Sequence, residues 1–225
     1  MVGSGFSVAD ATGSGLNAPS HNSLELGGSI RRDLVANIPE HSSADLAELI
    51  RCELGRGLGA IWAQAAGVAA SWRETPGGGA IGRGGQMPWH VPADLRWFSK
   101  LTKNTAVIMG RRTWESLPAA YRPLPERDNY VLTGREQADF PGAITVKSLA
   151  TALRLSADVP TWIIGGGKLY KDVLERCDIA ALTQLRLEID GADTYAPELD
   201  GSWSQLAFAQ AANDAACVFT LWRRK

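Results

Sequence analysis

The chain lacks the marks of several large functional classes. It has only three cysteines, Cys52, Cys177 and Cys217, far apart and without paired spacing. That excludes a zinc or disulfide framework and suits a reducing compartment, so no metal is expected. No apolar run approaches the roughly 18 residues of a membrane-spanning helix. Residues 1–15 show neither a basic start nor an apolar stretch, so a secretory signal is not expected. Neither charge is in excess: the formal net charge is -1, which removes the broad positive field that a nucleic-acid partner would need. What remains is an ordinary globular composition, 45% hydrophobic and 21% charged. A cytoplasmic protein with no nucleic-acid or membrane partner is expected.

The chain's 225 residues leave room for one substantial domain and an appendage. Composition changes near residue 58. Residues 1–43 are rich in Gly, Ser, Asn and Ala, with no Phe, Trp or Tyr after Phe6, and read as flexible. Ser42 to Ile50 has the pattern of a short helix, with a serine cap and apolar Leu46, Leu49 and Ile50. Alone, a helix of that length is marginal. Different readings of residues 1–57 stay open: a docking or regulatory arm, or else a disordered tail or a start codon placed too far upstream. The domain proper is expected at 58–225.

From Leu58 strands and helices alternate. Strands are expected at Leu58–Ala65, Thr105–Met109, Asn129–Thr133, Thr161–Ile164 and Ala180–Ile189, with two more around the turn-forming pair Asn213–Asp214. Helices are expected from Pro92 to Lys103, with Leu95, Phe98 and Leu101 on one face, from Arg111 or Arg112, from Ser148 to Leu155, and after Gly167 through Leu174. This order implies an α/β fold: a mostly parallel twisted sheet, an antiparallel C-terminal edge hairpin, and helices on both faces.

Chemistry is suggested in two kinds of place. Twice a buried strand runs into glycine and then a helix, at Met109-Gly110-Arg111-Arg112-Thr113 and at Ile164-Gly165-Gly166-Gly167-Lys168-Leu169-Tyr170. Free N–H groups at a helix start attract anions, and glycine permits close backbone approach. Either unit alone is explained as well by a tight turn with solvated basic residues. Two on neighbouring strands point to an anionic ligand of dinucleotide size. The other place is the glycine-rich segment Gly82–Met87 leading into a helix whose first turn holds a lone acid, Asp94, with Phe98 one turn on. The residues leave open whether Asp94 merely complements the helix dipole or faces a ligand.

Four separated stretches, Met87–Leu95, Val107–Leu117, Arg122–Arg127 and Ile164–Tyr170, together resemble dihydrofolate reductase in order and spacing, and the string Ile61-Trp62-Ala63-Gln64-Ala65 is similar to its actinobacterial members. The resemblance implies reduction of dihydrofolate with NADPH, and binding of antifolate inhibitors. It assigns Asp94 to the pterin 2-amino group and N3, with Thr183 hydrogen-bonded to it. It assigns Trp62 and Ala63 to backbone contacts, and Leu95, Phe98, Leu117 and Leu124 to the ring and benzoyl walls. Arg127 is assigned to the glutamate α-carboxylate. Tyr170 and Ile164 would flank the nicotinamide, and Tyr170 and Met87 join Asp94 and Thr183 as the catalytic set. For the cofactor it implies Ala63, Ile81, Gly82, Gly110, Arg111, Arg112, Thr113, Leu132, Thr133, Arg135 and the run Gly165, Gly166, Gly167, Lys168 and Leu169. Arg111, with Arg135 and Lys168 as lesser candidates, would neutralise the 2′-phosphate. Gly165–Gly166 is expected to be a cis peptide.

The chain departs from that pattern in three ways. Residues 66–80 are longer than the family's usual connection, Glu126 stands where a glycine is usual, and residues before Leu58 have no counterpart. Two rival readings remain: a riboflavin-pathway reductase, which would leave Arg127 and the Asp94–Phe98 pair without a purpose, and a folate or NADPH binder without turnover.

Overall fold

A computed structural model of the protein describes residues 38–67 and 77–225. Residues 1–37 of the stretch expected to be flexible, and 68–76 of the long connection, lie outside the described residues.

The sheet is built from β1 (Leu58–Ala65), β3 (Ala106–Gly110), β4 (Asp128–Leu132), β5 (Ile144–Val146), β6 (Thr161–Ile163), β7 (Ile179–Leu185), β9 (Trp203–Ala211) and β10 (Asp214–Arg224). Their order is β5-β4-β3-β6-β1-β7-β10-β9. Pairing is parallel from β5 through β7, and antiparallel where β10 meets β7 and β9. A short β2 (Ala80–Gly82) joins the end of β1 to β8 (Thr194–Tyr195). The mostly parallel sheet with its antiparallel terminal hairpin is therefore the one expected. β2, β5 and β8 were not foreseen, because two or three residues are too few to display a period. β7 stops at Leu185 rather than Ile189: the Leu187 amide turns back onto the Leu185 carbonyl at 2.9 Å, and the Ala66 amide takes that same carbonyl.

Successive strand residues point to opposite faces, and both faces are apolar. Ile61, Val107, Met109, Val131 and Ala181 pack on one side with α1 (Ser43–Leu54), α2 (Pro92–Thr102) and α3 (Arg111–Ser116). Ala60, Trp62, Ile108, Tyr130 and Leu182 pack on the other with α4 (Leu149–Leu155) and α5 (Gly167–Val173). The buried stripe of α2 is Asp94, Trp97 and Leu101, not Leu95, Phe98 and Leu101. Trp97 sets that rotation by stacking on Phe219 of β10, ring centroids 4.3 Å apart; Leu95 is left 41% exposed.

The boundary expected at Leu58 also moves. The compact unit begins at Ile38, so residues 38–57 are not a flexible arm. Ser42 caps α1 by accepting the Asp45 amide at 3.2 Å. Leu46, Ala47, Ile50 and Leu54 are buried in the same cluster as Ala207, Ala209 and Ala211, alternate residues of β9. Three small side chains on one sheet face leave room for a helix to lie close. Upstream, His41 and Phe208 extend the contact through backbone bonds at Phe208 O and Pro39 O. A helix too short to persist alone is held by the face it buries.

Candidate functional site

β6 stops pairing with β1 at Ala60 opposite Ile163, while β1 continues to Ala65 beside β7. Beyond that point the sheet opens at the carboxyl ends of its strands, the usual place for a ligand crevice in such sheets. Most of the residues singled out from the sequence gather there.

Asp94, in the first turn of α2, is 7% exposed and is the only charged side chain among the buried described residues. Burial pushes its carboxyl up to about 6, while a hydrogen bond from Thr183 pulls the other way. Thr183 lies opposite Ala63 in the β1–β7 register and opposite Phe219 across β10. Asp94, Thr183 and Ala63 are thus brought together by strand register and one helix turn. Trp62 is a core side chain whose indole donates to Gln64 at 2.9 Å, so only its backbone is available to a ligand.

Phe98 is half-buried beneath Arg127, whose guanidinium carbon stands 5.7 Å from the ring centroid. Arg127 is fixed by its own neighbours: Nε donates to Thr102 Oγ1 at 2.8 Å, one terminal nitrogen to the Pro125 carbonyl at 2.9 Å, the other to Ser99 Oγ at 3.1 Å. Asn129 clasps the preceding turn, accepting from the Leu124 amide at 3.0 Å and donating to the Leu124 carbonyl at 2.9 Å. Leu124, expected on the benzoyl wall, is a core residue with 7% exposure, whereas Leu117 is half-buried.

Glu126 has φ 58, the left-handed backbone that glycine adopts freely and other residues adopt at a cost of roughly 1–2 kcal/mol. Its carboxylate pairs with Lys103 at 2.8 Å and its carbonyl accepts the Asn104 amide at 2.8 Å. An exposed ion pair offsets little of that cost. Glu126→Gly should therefore be more stable than Glu126→Ala by about 1 kcal/mol, measured by chemical denaturation; equal stabilities would show that the turn is unstrained.

On the other side of the crevice the two strand–glycine–helix units meet directly. The Gly110 amide donates to the Gly165 carbonyl at 2.7 Å and the Ile164 amide to the Ile108 carbonyl at 3.0 Å. Gly165–Gly166 is cis. A Cβ on either glycine would stand a tight 3.3 Å from Thr113 Oγ1, so the glycines leave bare backbone where a side chain would press on Thr113. Around it stand Arg111, Arg112 and Arg135, with Leu132 and Thr133 at the end of β4, where Thr133 Oγ1 accepts the Arg135 amide at 3.0 Å. Arg111 and Arg135 both reach Glu115, at 2.6 and 3.4 Å, and the Arg111 hydrogen bond above all holds that carboxyl below its ordinary range. Lys168 is exposed and pairs with Asp172, and Leu169 is buried. Bare backbone beside several guanidinium groups fits a dinucleotide with phosphate charge.

Tyr170 is buried, its hydroxyl donating to the Ile61 carbonyl at 2.6 Å, the first β1 carbonyl beyond the end of β6, and its ring 5.2 Å from Trp62. Burial raises its pKa far above neutrality. A phenol so held keeps its proton, which leaves Tyr170 a positioned ring beside the crevice. The Met87 side chain is 53% exposed at the end of the loop.

That loop is pinned by residues the sequence reading missed. Asp193 Oδ2 accepts the Gly84 amide at 2.6 Å, the Asp193 amide donates to the Gly82 carbonyl at 3.2 Å, and Arg83 donates to the Asp190 carbonyl at 3.1 Å. The Gly84 bond is the main reason the Asp193 carboxyl lies below its ordinary range. Ile81 stays close to α5, its Cδ1 lying 3.8 Å from a Cβ built on Gly167, while Gly82 packs against Thr194. Asp193→Ala should slow turnover about three- to ten-fold by freeing the loop, read by steady-state kinetics; an unchanged kcat would mean that loop position does not limit the reaction. One acid in a distant turn gives no sequence signal for this contact.

Comparison with known proteins agrees with the geometry. The family model described as dihydrofolate reductase matches residues 73–224. A dihydrofolate reductase of Mycobacterium tuberculosis is 42% identical over 151 residues, 65% of this chain and 83% of that protein. One from Haemophilus influenzae is 40% identical over 151 residues, 64% and 91% of the two chains. Among solved structures, dihydrofolate reductase from Enterococcus faecalis, complexed with NADP(H) and RAB-propyl, superposes with a TM-score of 0.63 at 29% identity, covering 76% of this chain and 97% of that one.

Proposed function

This chain belongs to the dihydrofolate reductase family, and we propose the following division of labour among its residues. It reduces 7,8-dihydrofolate to 5,6,7,8-tetrahydrofolate, supplying one-carbon metabolism. NADPH, when bound, supplies the hydride that is added to pterin C6. Asp94, held by Thr183, accepts hydrogen bonds from the pterin 2-amino group and N3. The buried carboxylate raises the proton affinity of the ring it grips, favouring the more electrophilic protonated substrate. Asp94 is the one buried carboxyl among the described residues, so the proton for N5 arrives through water, with Asp94 tuning its delivery. The observation that carries this reading is that burial, joined to Thr183, at the point where β1 and β6 part.

Phe98, Leu117, Leu95 and Ile164 line the pterin and benzoyl groups, with Ala63 and Trp62 offering backbone. Arg127 takes the glutamate α-carboxylate. Arg111, Arg112, Thr113, Arg135, Lys168 and the glycines Gly110, Gly165, Gly166 and Gly167 hold the cofactor, Arg111 selecting its 2′-phosphate. Ile81, Gly82 and the loop to Met87 exclude water from the reacting atoms. Antifolate compounds that imitate the pterin compete for the same crevice. We further propose a cytoplasmic monomer without nucleic-acid or membrane partner, on the balanced charge and the unpaired cysteines.

The test is loss of NADPH absorbance on adding dihydrofolate, with NADH and Asp94→Asn run alongside. Turnover that is weak with NADH and lost in the variant is the expected result. Equal rates with both cofactors would overturn the role given to Arg111.

A further inference from the structure

The helix α1 belongs to the part of the chain before residue 73, where the family match begins, yet it is built into the substrate side of the domain. Its buried side, Leu46, Ala47, Ile50 and Leu54, shares one cluster with Trp97 and Leu101 of α2 and with Phe219 of β10. Phe219 in turn stacks on Trp97 and lies opposite Thr183, the partner of Asp94. The exposed side of α1 also reaches α2. One terminal nitrogen of Arg51 donates to the Lys100 carbonyl at 3.2 Å, while the other pairs with Glu48 at 3.2 Å.

Lys100 lies in the last turn of α2, where carbonyls have no partner within the helix. Arg127 works at the same end, donating to Ser99 and Thr102. The C-terminus of α2 is thus shared between one guanidinium from the N-terminal segment and one from the substrate site. A cation there also suits the helix dipole.

We propose that α1 is a positioning element for the folate-binding helix, acting through Arg51, which fixes the end of α2 against which Arg127 and Phe98 are set. The proposal rests on the assignment of α2 and Arg127 to the folate tail. It separates this helix from a mere cover: the effect of Arg51 falls on dihydrofolate and not on NADPH, because its side-chain bonds go to Glu48 and to the Lys100 carbonyl of α2, at the end of the helix away from the glycine units.

The experiment uses the full chain with Arg51→Ala, Arg51→Lys, Arg127→Lys, the double variant Arg51→Ala/Arg127→Lys, and Glu48→Gln as control. Arg51→Ala should raise KM for dihydrofolate about two- to five-fold with kcat and KM for NADPH unchanged. Arg51→Lys should recover most of the loss, since an ammonium can also meet a terminal carbonyl, and Glu48→Gln should leave both constants alone. In the double variant Arg51→Ala should add little to Arg127→Lys, because both act at one helix end. An unmoved dihydrofolate KM in Arg51→Ala, an equal rise in KM for NADPH, or full multiplication in the double variant overturns the proposal. If Arg127→Lys alone leaves KM unmoved, it is the tail assignment of Arg127 that fails, and the Arg51→Ala result still decides for α1.

Discussion

Asp94→Asn should lose about two to four powers of ten in single-turnover hydride transfer at neutral pH, yet unfold at a higher temperature than the parent chain. Both effects come from one cause. Burial raises the Asp94 carboxyl from 3.8 to about 6, so the folded protein holds a proton there that the unfolded chain has released. The stability linked to that proton is complete below about pH 4 and is lost as pH rises through about 6. Above that, keeping a charge in the crevice costs about 2–3 kcal/mol. Asparagine keeps an acceptor for the Thr183 hydroxyl and carries no charge, so the variant gains that stability. The gain should appear between pH 4 and 6, level off above, and vanish below. Catalysis moves the other way. In the parent chain the hydride-transfer rate should fall with rising pH as the pterin held by the Asp94 carboxylate loses its proton, and the variant, with no charge to retain that proton, should lack the inflection. Thermal unfolding from pH 4 to 8 and stopped-flow rates over the same range measure both. A variant less stable at pH 8 than the parent would show that Asp94 is held by compensating bonds, and that its raised pKa is not a cost to the fold.

The sequence disclosed the parts whose signals are local. The strands β1, β3 and β6 announce themselves as short apolar runs, and the strand–glycine–helix units locate the crevice before any contact is known. Asp94 was visible as a lone acid at a helix start, and the structure supplies what sequence cannot: its burial and its bond to Thr183, 89 residues away in the chain. The illegible parts are those decided by tertiary packing. α1 looked like a marginal helix because its amphipathic face has value only against the alanine row of β9, some 160 residues downstream. The rotation of α2 was misread because Leu95, Phe98 and Leu101 satisfy a helical period as well as Asp94, Trp97 and Leu101 do, and only Phe219 chooses between them. Asp193 was missed for the same reason, since its value lies in the one amide it meets. Glu126 shows the reverse case: a departure from a local pattern was visible in the sequence, and the positive φ gives its physical meaning.

Arg127→Lys should raise KM for dihydrofolate roughly 10- to 100-fold with kcat within a few-fold of the parent. The guanidinium is already oriented by Thr102, Pro125 and Ser99. One terminal nitrogen keeps a hydrogen beyond its bond to Pro125, the other adds only a long 3.4 Å contact to the Ser99 carbonyl, and a guanidinium fork matches the two oxygens of a carboxylate once that contact is released. Lysine keeps the charge but has no planar fork, and its ammonium cannot hold Ser99, Thr102 and a carboxylate together. Because the tail lies away from C6 and N5, its binding contributes equally to ground and transition states, so the loss falls on KM. A reduced pterin lacking the glutamate tail separates this role from simple support of α2. With that substrate parent and variant should have equal KM, since neither has a carboxylate to grip. If both substrates suffer equally, Arg127 serves only to cap α2, and the tail must find its cation elsewhere.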